Sequence, residues 1–288
     1  MKKYLLVFSI FLFISCKKEI KIISKTNNIV AYEIEPNDPN KNVYGNWVGL
    51  FVPKYNAKGD DYSSANKINI VIQKIKGGIA NGYSIVSGNM RSWKGDVKTI
   101  SNGNLQFDVK ELGDDKNDGT FNFLVQKDSV IGTWTANNKS LKIIERRYTL
   151  SKKQFSYNPK LILSEGLPYV DNYTTKQKIS TDEDTDMPAL RYADSVVTIL
   201  NASTKILKES ELKNLKKLEL ELLRNTIYAR HGYSFKNKIY RQFFDYQDWY
   251  IPVSDDISGT LTTTERENIK TLLRFEKYAT DSYESFGR

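Results

Sequence analysis

The single histidine of the chain, His231, has the clearest potential for acid–base chemistry, and it lies in the stretch NTIYARHGYSF (225–235). A hydrolase would need a nucleophile beside it, but Ser234 has no nucleophile-elbow context. A zinc site would need a second ligand at H-x-x-E or H-E-x-x-H spacing, and the sequence has neither. Asp245 or Asp248 would become the partner of a general base only if the fold brought it to His231. We therefore predict a structural role for His231 and no enzymatic activity, and a hydrolase that uses His231 is the least favoured function.

The residues before His231 predict the end of an amphipathic helix. Ser210 is the expected N-cap of a helix that starts at Glu211. The apolar stripe of this helix consists of Leu212, Leu215, Leu218, Leu222, Leu223 and Ile227. Gly232 can adopt the left-handed conformation that ends a helix, and Arg230 and His231 in the last turn favour the negative end of its dipole. The spacing of apolar residues predicts two further helices, so the C-terminal part is expected to be mainly α-helical.

This segment resembles a known bacterial domain. The residues that carry the resemblance are Leu223-Arg224-Asn225, Ile227-Tyr228-Ala229-Arg230-His231-Gly232, Phe235, Phe243 or Phe244, Trp249-Tyr250 and Pro252. They resemble the YARHG domain, a bacterial extracytoplasmic module, over about residues 203–280. The resemblance implies a small domain with no established activity. It also implies a structural or recognition role for Arg224, Asn225, Tyr228, Arg230, His231, Gly232, Phe235, Trp249 and Tyr250.

Residues 44–150 have a period of two instead, which predicts β-strands. Ile68, Ile70 and Ile72, for example, alternate with polar residues. The expected strands are 46–52, 67–73, 82–87, 92–98, 105–109, 121–125, 130–135 and 141–148, separated by turns rich in Gly and Asn. Eight consecutive short strands predict an all-β antiparallel meander that closes into a barrel, because closure removes the exposed edges.

The barrel region resembles the lipocalin-like (calycin) barrels. The resemblance rests on Gly45-Asn46-Trp47 and on Arg146 or Arg147, because in those families an arginine from a late strand packs over a tryptophan near the barrel base. It implies that the barrel holds a small apolar or amphipathic ligand. The candidate interior residues are Trp47, Tyr83, Trp93, Trp134 and Arg146. The alternative to the resemblance is a generic antiparallel meander with a core tryptophan. The alternative to a bound ligand is a barrel filled by its own side chains.

The N-terminus resembles a bacterial lipoprotein signal peptide. Lys2 and Lys3 precede a short apolar core (4–14), and Phe13-Ile14-Ser15-Cys16 is similar to a lipobox, with Phe13 where leucine is usual. The resemblance implies cleavage before Cys16 and lipidation of its thiol, and thus a lipid anchor in the bacterial outer membrane, on its periplasmic side or at the cell surface. The alternative is an ordinary secretory peptide with an incidental cysteine. Since Cys16 is the only cysteine, lipidation would exclude thiol chemistry from the mature protein.

Composition and charge divide the chain further. The predicted regions are a signal peptide (1–15), a lipidated N-terminus and flexible tether (16–42), a barrel domain (43–160), an acidic linker (161–198) and a helical YARHG domain (199–288). The net charge of +9 comes mainly from residues 41–160, which hold 19 Lys/Arg and 10 Asp/Glu. This excess fits an anionic surface such as a membrane or cell wall, and no nucleic-acid-binding module is recognisable. A mean hydropathy of −0.51 excludes a protein with many membrane spans.

These observations predict a lipid-anchored envelope protein that acts by binding. The favoured hypothesis is a small apolar or amphipathic ligand in the barrel, and the alternative is an interaction with the cell wall or another envelope protein. No cofactor and no metal are expected, because Lys116 and Val125 replace the ligands that a calcium loop at 114–119 would need.

Overall fold

The computed structural model describes residues 37–55, 59–60, 64–100, 103–165, 169–174 and 190–281. The predicted signal peptide, Cys16, most of the tether and the acidic run at 180–186 lie outside these ranges. No helix in the described part of the chain is both long enough and apolar enough to span a bilayer.

Residues 45–153 form an antiparallel sheet that closes on itself. Its strands are β1 (Gly45–Tyr55), β2 (Gly59–Asp60), β3 (Asn66–Lys76), β4 (Ile79–Val86), β5 (Asn89–Thr99), β6 (Leu105–Glu111), β7 (Gly119–Gln126), β8 (Ser129–Ala136) and β9 (Glu145–Lys153). β2 pairs only with the end of β1, and the other eight strands follow one another around the barrel until β9 pairs with β1. The predicted closed eight-stranded meander is therefore confirmed.

Alternate residues of the eight strands point inward and form a single core. Its largest members are Trp47, Phe51, Trp93, Phe107, Phe121, Phe123, Trp134 and Tyr148. Phe107 and Phe123 stack with their ring centroids 4.5 Å apart, and Trp47 is completely buried. Because side chains of this size leave little space, they fill the barrel from the end near Trp47 up to about Phe121.

The described residues after β9 contain two short strands and five helices. They are β10 (Tyr169–Asp171), β11 (Arg191–Ala193), α1 (Val196–Ile199), α2 (Glu209–Leu212), α3 (Lys217–Arg230), α4 (Lys238–Phe244) and α5 (Thr263–Glu276). β10 pairs with β11, and α3 packs on α5. The expectation of a mainly helical C-terminal domain is confirmed.

The prediction of one long helix starting at Glu211 is wrong, because the chain forms two helices here. Glu211 accepts a hydrogen bond from the backbone N–H of Lys208 (2.8 Å), and Glu219 accepts one from that of Lys216 (2.8 Å). Each carboxylate thus caps the start of a separate helix, α2 or α3. Ser210 lies inside α2 and is not an N-cap.

The predicted linker differs from the structure where it is described. Leu163, Ala193 and Val197 are fully buried in a core that they share with Leu218 and Phe244. Described residues between 161 and 198 are therefore part of the helical domain.

The barrel and the helical domain are in direct contact through the outer face of β3. Lys67 donates from its backbone N–H to Asp245 Oδ2 (3.0 Å) and from Nζ to the carbonyls of Gln247 and Tyr250 (3.1 Å for the latter). Asn69 Nδ2 donates to the carbonyl of Pro252 (2.9 Å). In the turn after β4, the backbone N–H of Gly88 adds a bond to Ser234 Oγ (2.9 Å). Lys67 and Asn69 are both buried, so water is excluded from this interface. Most of the polar groups that are buried there form hydrogen bonds with each other.

Candidate functional site

The end of the barrel opposite Trp47 contains a cavity of about 440 Å³, here called the barrel cavity. Phe51, Phe121 and Trp134 contribute its apolar surface. The polar and charged residues that line it are Asn66, Ser87, Asn89, Arg91, Glu111, Asn117, Lys142 and Arg146. A cavity with an apolar wall and a polar rim can accommodate a molecule that has one apolar part and one polar part.

Glu111 is the buried acid of this cavity. Its Oε2 accepts hydrogen bonds from the indole N–H of Trp134 (3.1 Å) and the backbone N–H of Gly119 (2.7 Å), and its Oε1 accepts one from Ser84 Oγ (3.2 Å). Burial raises the pKa of Glu111 above its ordinary value, and the bond from Trp134 opposes this shift. Sequence patterns do not single out Glu111, because its role depends on contacts with three other strands, β4, β7 and β8.

Arg91 connects the cavity to the acidic turn at 114–119. Its Nε lies 2.9 Å from Asp118 Oδ1, and its Nη2 lies 3.3 Å from Asp115 Oδ1. The turn therefore binds a guanidinium group of the protein itself. No cluster of three or more potential metal ligands occurs in the described residues.

Arg146 lies at the cavity and not over Trp47, so the expected tryptophan–arginine pair is wrong. The guanidinium of Arg146 lies 5.0 Å from the ring of Phe51, and its Nη1 donates a hydrogen bond to the Phe51 carbonyl (2.8 Å). Lys152 lies over Trp47 instead, with its Nζ 5.5 Å from the ring. The reason is the register, since β9 places Lys152 opposite Trp47 and Arg146 opposite Pro53. Arg147, the other candidate, is exposed and alternates with Arg146.

Tyr83 was also expected inside the barrel, and this expectation is wrong. Its neighbours in β4 face inward, because a Cβ on Gly82 would touch the ring of Trp93 and Ser84 bonds to Glu111. Tyr83 therefore points outward, like Ile85. Trp93 and Trp134 are inside the barrel, as is Trp47.

His231 is buried at the end of α3, where it joins three other segments of the domain. Its Nε2 lies 2.8 Å from Glu265 Oε2, its Nδ1 lies 3.0 Å from Thr260 Oγ1, and its ring stacks on Tyr157 at 4.3 Å. Burial alone would raise the pKa of Glu265, but hydrogen bonds, including one with His231, hold it below its ordinary value. Asp245 bonds to Lys67 instead, so the structure does not bring it to His231 as the base's partner.

The residues beside His231 also connect distant segments. Arg230 donates from Nε to the carbonyl of Leu161 (2.6 Å) and from Nη1 to Ser203 Oγ (2.9 Å), and burial lowers its pKa to about 10. Gly232 has a φ of +72°, the left-handed conformation expected at this helix end. Asn225 Nδ2 donates to the carbonyl of Glu221 within the helix (2.8 Å).

The remaining aromatic residues of the motif form part of the domain core or its edge. Phe235 stacks on Phe244 at 4.9 Å, and the hydroxyl of Tyr250 donates to the Tyr233 carbonyl (2.7 Å). Trp249 Nε1 donates to the carbonyl of Ile162 (2.8 Å).

Arg224 and Tyr228 line a second cavity of about 440 Å³ on the helical domain, here called the tyrosine cavity. Tyr233 and Tyr240 line it as well. Arg224 forms a bidentate ion pair with Glu276 (2.5 and 2.9 Å), and its guanidinium lies 5.7 Å from the Tyr228 ring. The cavity thus offers aromatic surface and hydroxyl groups beside a neutralised ion pair.

Comparison with known proteins identifies the helical domain. Residues 195–277 match the YARHG domain family, which agrees with the resemblance predicted over about 203–280. No curated protein and no solved structure matches the chain. The eight-stranded closed barrel that precedes this domain is consistent with the lipocalin-like resemblance. The chain therefore carries a YARHG domain at residues 195–277, packed on the outer face of an N-terminal antiparallel β-barrel.

Proposed function

We propose that this protein is a lipid-anchored component of the bacterial envelope that binds a small amphipathic ligand in the open end of its barrel. The observation that carries the proposal is the barrel cavity, whose volume of about 440 Å³ falls in the range of roughly 300–1,000 Å³ typical of small-molecule sites. Because the end near Trp47 is filled, such a ligand is confined to the half of the barrel that contains the barrel cavity. The apolar part of the ligand would contact Phe51, Phe121 and Trp134.

Native mass spectrometry of the purified protein, exposed to envelope extract, tests this proposal. A reproducible added mass that survives desalting supports it. Val86 lines the cavity, so Val86→Phe is expected to reduce the occupied fraction. Ile131→Phe is the matched control, because Ile131 lies on the outer face of β8 and is 47% exposed. Equal loss of the added mass in both variants, or no added mass on the folded protein, would contradict ligand binding in the barrel.

The lipid anchor is supported by the lipobox-like sequence that ends at Cys16. Cys16→Ser is expected to move the protein from the membrane fraction to the soluble fraction and to abolish labelling with a radioactive fatty acid. Unchanged labelling of the variant would show that Cys16 is not the lipidated residue.

The tyrosine cavity favours a second function, recognition of the cell wall or of another envelope protein by the YARHG domain. Such a surface should bind purified sacculi in a co-sedimentation assay, and the bound fraction should fall with salt. Tyr233→Ser is expected to weaken binding, whereas Tyr278→Ser, at a tyrosine that is 74% exposed and outside the cavity, should not. Absence of binding at every salt concentration would refute the cell-wall form of this function.

We also propose that the protein acts without catalysis. Both ring nitrogens of His231 bond to protein groups, which leaves neither available to a substrate in this arrangement. A hydrolytic activity of the wild-type protein that is lost in a folded His231→Gln variant would contradict this proposal.

A further inference from the structure

A third cavity of about 290 Å³, here called the junction cavity, lies between the open end of the barrel and the YARHG domain. Asn66, Lys142, Ile143 and Arg146 line both this cavity and the barrel cavity. Because they share these four residues, the two cavities are adjacent at the open end of the barrel.

The junction cavity has a strong excess of positive charge. Lys142 and Arg146 come from the barrel, whereas Lys238 and Arg241 come from α4 of the YARHG domain. Asp245 is the only acidic residue that lines the cavity in the described part of the chain, and it already accepts the hydrogen bond from Lys67. Four cationic groups from two domains that converge around one acid favour an anionic ligand.

Arg241 provides a second and independent indication. Its Nε is buried and has no hydrogen-bond partner in the described part of the chain, although its Nη1 donates to the carbonyl of Lys236. Leaving a buried donor of a charged group unpaired costs more than leaving a neutral donor unpaired. Arg241 also lines the junction cavity, so its guanidinium can pair with an oxyanion bound there, and guanidinium groups bind phosphate and carboxylate oxygens well.

We propose that the junction cavity binds the anionic head group, a phosphate or a carboxylate, of an amphiphile whose apolar part occupies the barrel cavity. The proposal rests on the proposed function of the barrel and assigns the chemical class of its ligand. Because Arg146 belongs to the barrel and Arg241 to the YARHG domain, the bound head group would contact both domains at once. The YARHG domain would thus complete a binding site that the barrel alone lacks.

Isothermal titration calorimetry of the whole protein with monomeric amphiphiles tests the proposal. Octyl phosphate and octanoate supply the two candidate head groups, octyl glucoside has the same chain with a neutral head, and inorganic phosphate has no chain. We expect the better of the two anionic amphiphiles to bind at least about tenfold more tightly than octyl glucoside and than inorganic phosphate. The preferred amphiphile distinguishes a phosphate ligand from a carboxylate ligand.

Two sets of variants locate the head group. The double variant Lys142→Gln and Lys238→Gln is expected to weaken binding of the anionic amphiphile roughly fivefold more than it weakens binding of octyl glucoside. Lys94→Gln and Lys98→Gln are the matched control, because these lysines are exposed on β5 and line neither cavity. Arg241→Gln should cause a larger loss, and its circular dichroism spectrum and unfolding midpoint show whether it is folded.

The outcomes separate this inference from the function on which it rests. If octyl phosphate, octanoate and octyl glucoside bind equally, the barrel binds amphiphiles but the anionic head-group site is refuted. A fivefold loss in the control pair as well would show general charge attraction and would also refute it. If inorganic phosphate binds as tightly as octyl phosphate, the octyl chain contributes nothing to affinity and the combined site is refuted. If no amphiphile binds, the proposed function of the barrel is refuted, and the head-group site that rests on it is refuted as well.

Discussion

Replacement of Asp245 by asparagine is expected to stabilise the protein at neutral pH. Asp245 is only 4% exposed, and burial raises the pKa of its carboxyl from 3.8 to about 6, although the Lys67 backbone bond and the nearby cations oppose the shift. The negative charge is therefore held in a place that disfavours it. Asparagine has nearly the same shape and keeps an oxygen that can accept the bond from Lys67 N–H.

The size of the effect follows from proton linkage. Between pH 3.8 and about 6 the folded state retains a proton that the unfolded state has lost, so the free energy of unfolding falls as the pH rises through this window. A difference of about two pKa units corresponds to roughly 3 kcal/mol. Asp245→Asn is thus expected to be more stable than the wild type by about 2–3 kcal/mol at pH 7, and by almost nothing at pH 3.5.

Urea unfolding followed by tryptophan fluorescence measures this at several pH values between 3.5 and 7.5. The range stays below the pKa of Lys67, which burial lowers to about 8 and which adds stability only as the pH rises between about 8 and 10.5. Asp96→Asn, at an exposed position on β5, is the control for the change in net charge. A variant Asp245→Asn that is less stable than the wild type at pH 7, or equally stabilised at pH 3.5 and pH 7, would refute the reasoning.

Three further predictions concern the end of α3. His231→Ala should lower the free energy of unfolding by about 2–4 kcal/mol, because a buried hydrogen bond, a partly buried one and a ring stack are lost. A loss below about 1 kcal/mol in urea unfolding would count against this. Glu265→Gln should be destabilising at pH 7, because hydrogen bonds hold the carboxyl pKa below its ordinary value of 4.5 in the folded state. The effect should shrink as the pH falls below 4.5, and a pH-independent effect would contradict it. Gly232→Ala should lower the free energy of unfolding by at least about twice the roughly 1 kcal/mol expected for Gly77→Ala. Both glycines have a positive φ, but a Cβ at Gly232 would collide with Val253 whereas Gly77 has open space, so equal changes in thermal midpoint would show that the collision is relieved.

The barrel could be predicted from the sequence because the signals for its strands and turns lie within short stretches of the chain. Each strand has one face of inward residues, and the turns between strands contain glycines such as Gly77 and Gly78 with positive φ. The inward face of β4 was not predictable, because Ile85 on its outer face is also completely buried. When both faces of a strand are covered, alternation no longer indicates which side is the interior. Tyr83 was assigned to the wrong face for this reason.

The long-range contacts of the site could not be obtained from sequence patterns. The pairing of Glu265 with His231 depends on how α3 and α5 pack, which no local pattern indicates. The same holds for the pair of Lys152 and Trp47, which requires the register between the first and last strands of the barrel. The YARHG motif was predictable because its residues lie close together in the chain.

The contact between β3 and the YARHG domain has an evolutionary consequence. Lys67 and Asn69 donate their side-chain hydrogen bonds to main-chain carbonyls of Gln247, Tyr250 and Pro252, which every amino acid possesses. These bonds recognise the path of the backbone in this loop and do not involve its side chains. Asp245 and Ser234 act in the opposite direction, because their side chains accept hydrogen bonds from backbone N–H groups of the barrel. Each domain thus recognises the backbone of the other with its own side chains, so sequence change in either domain must keep Lys67, Asn69, Ser234 and Asp245 to preserve the junction.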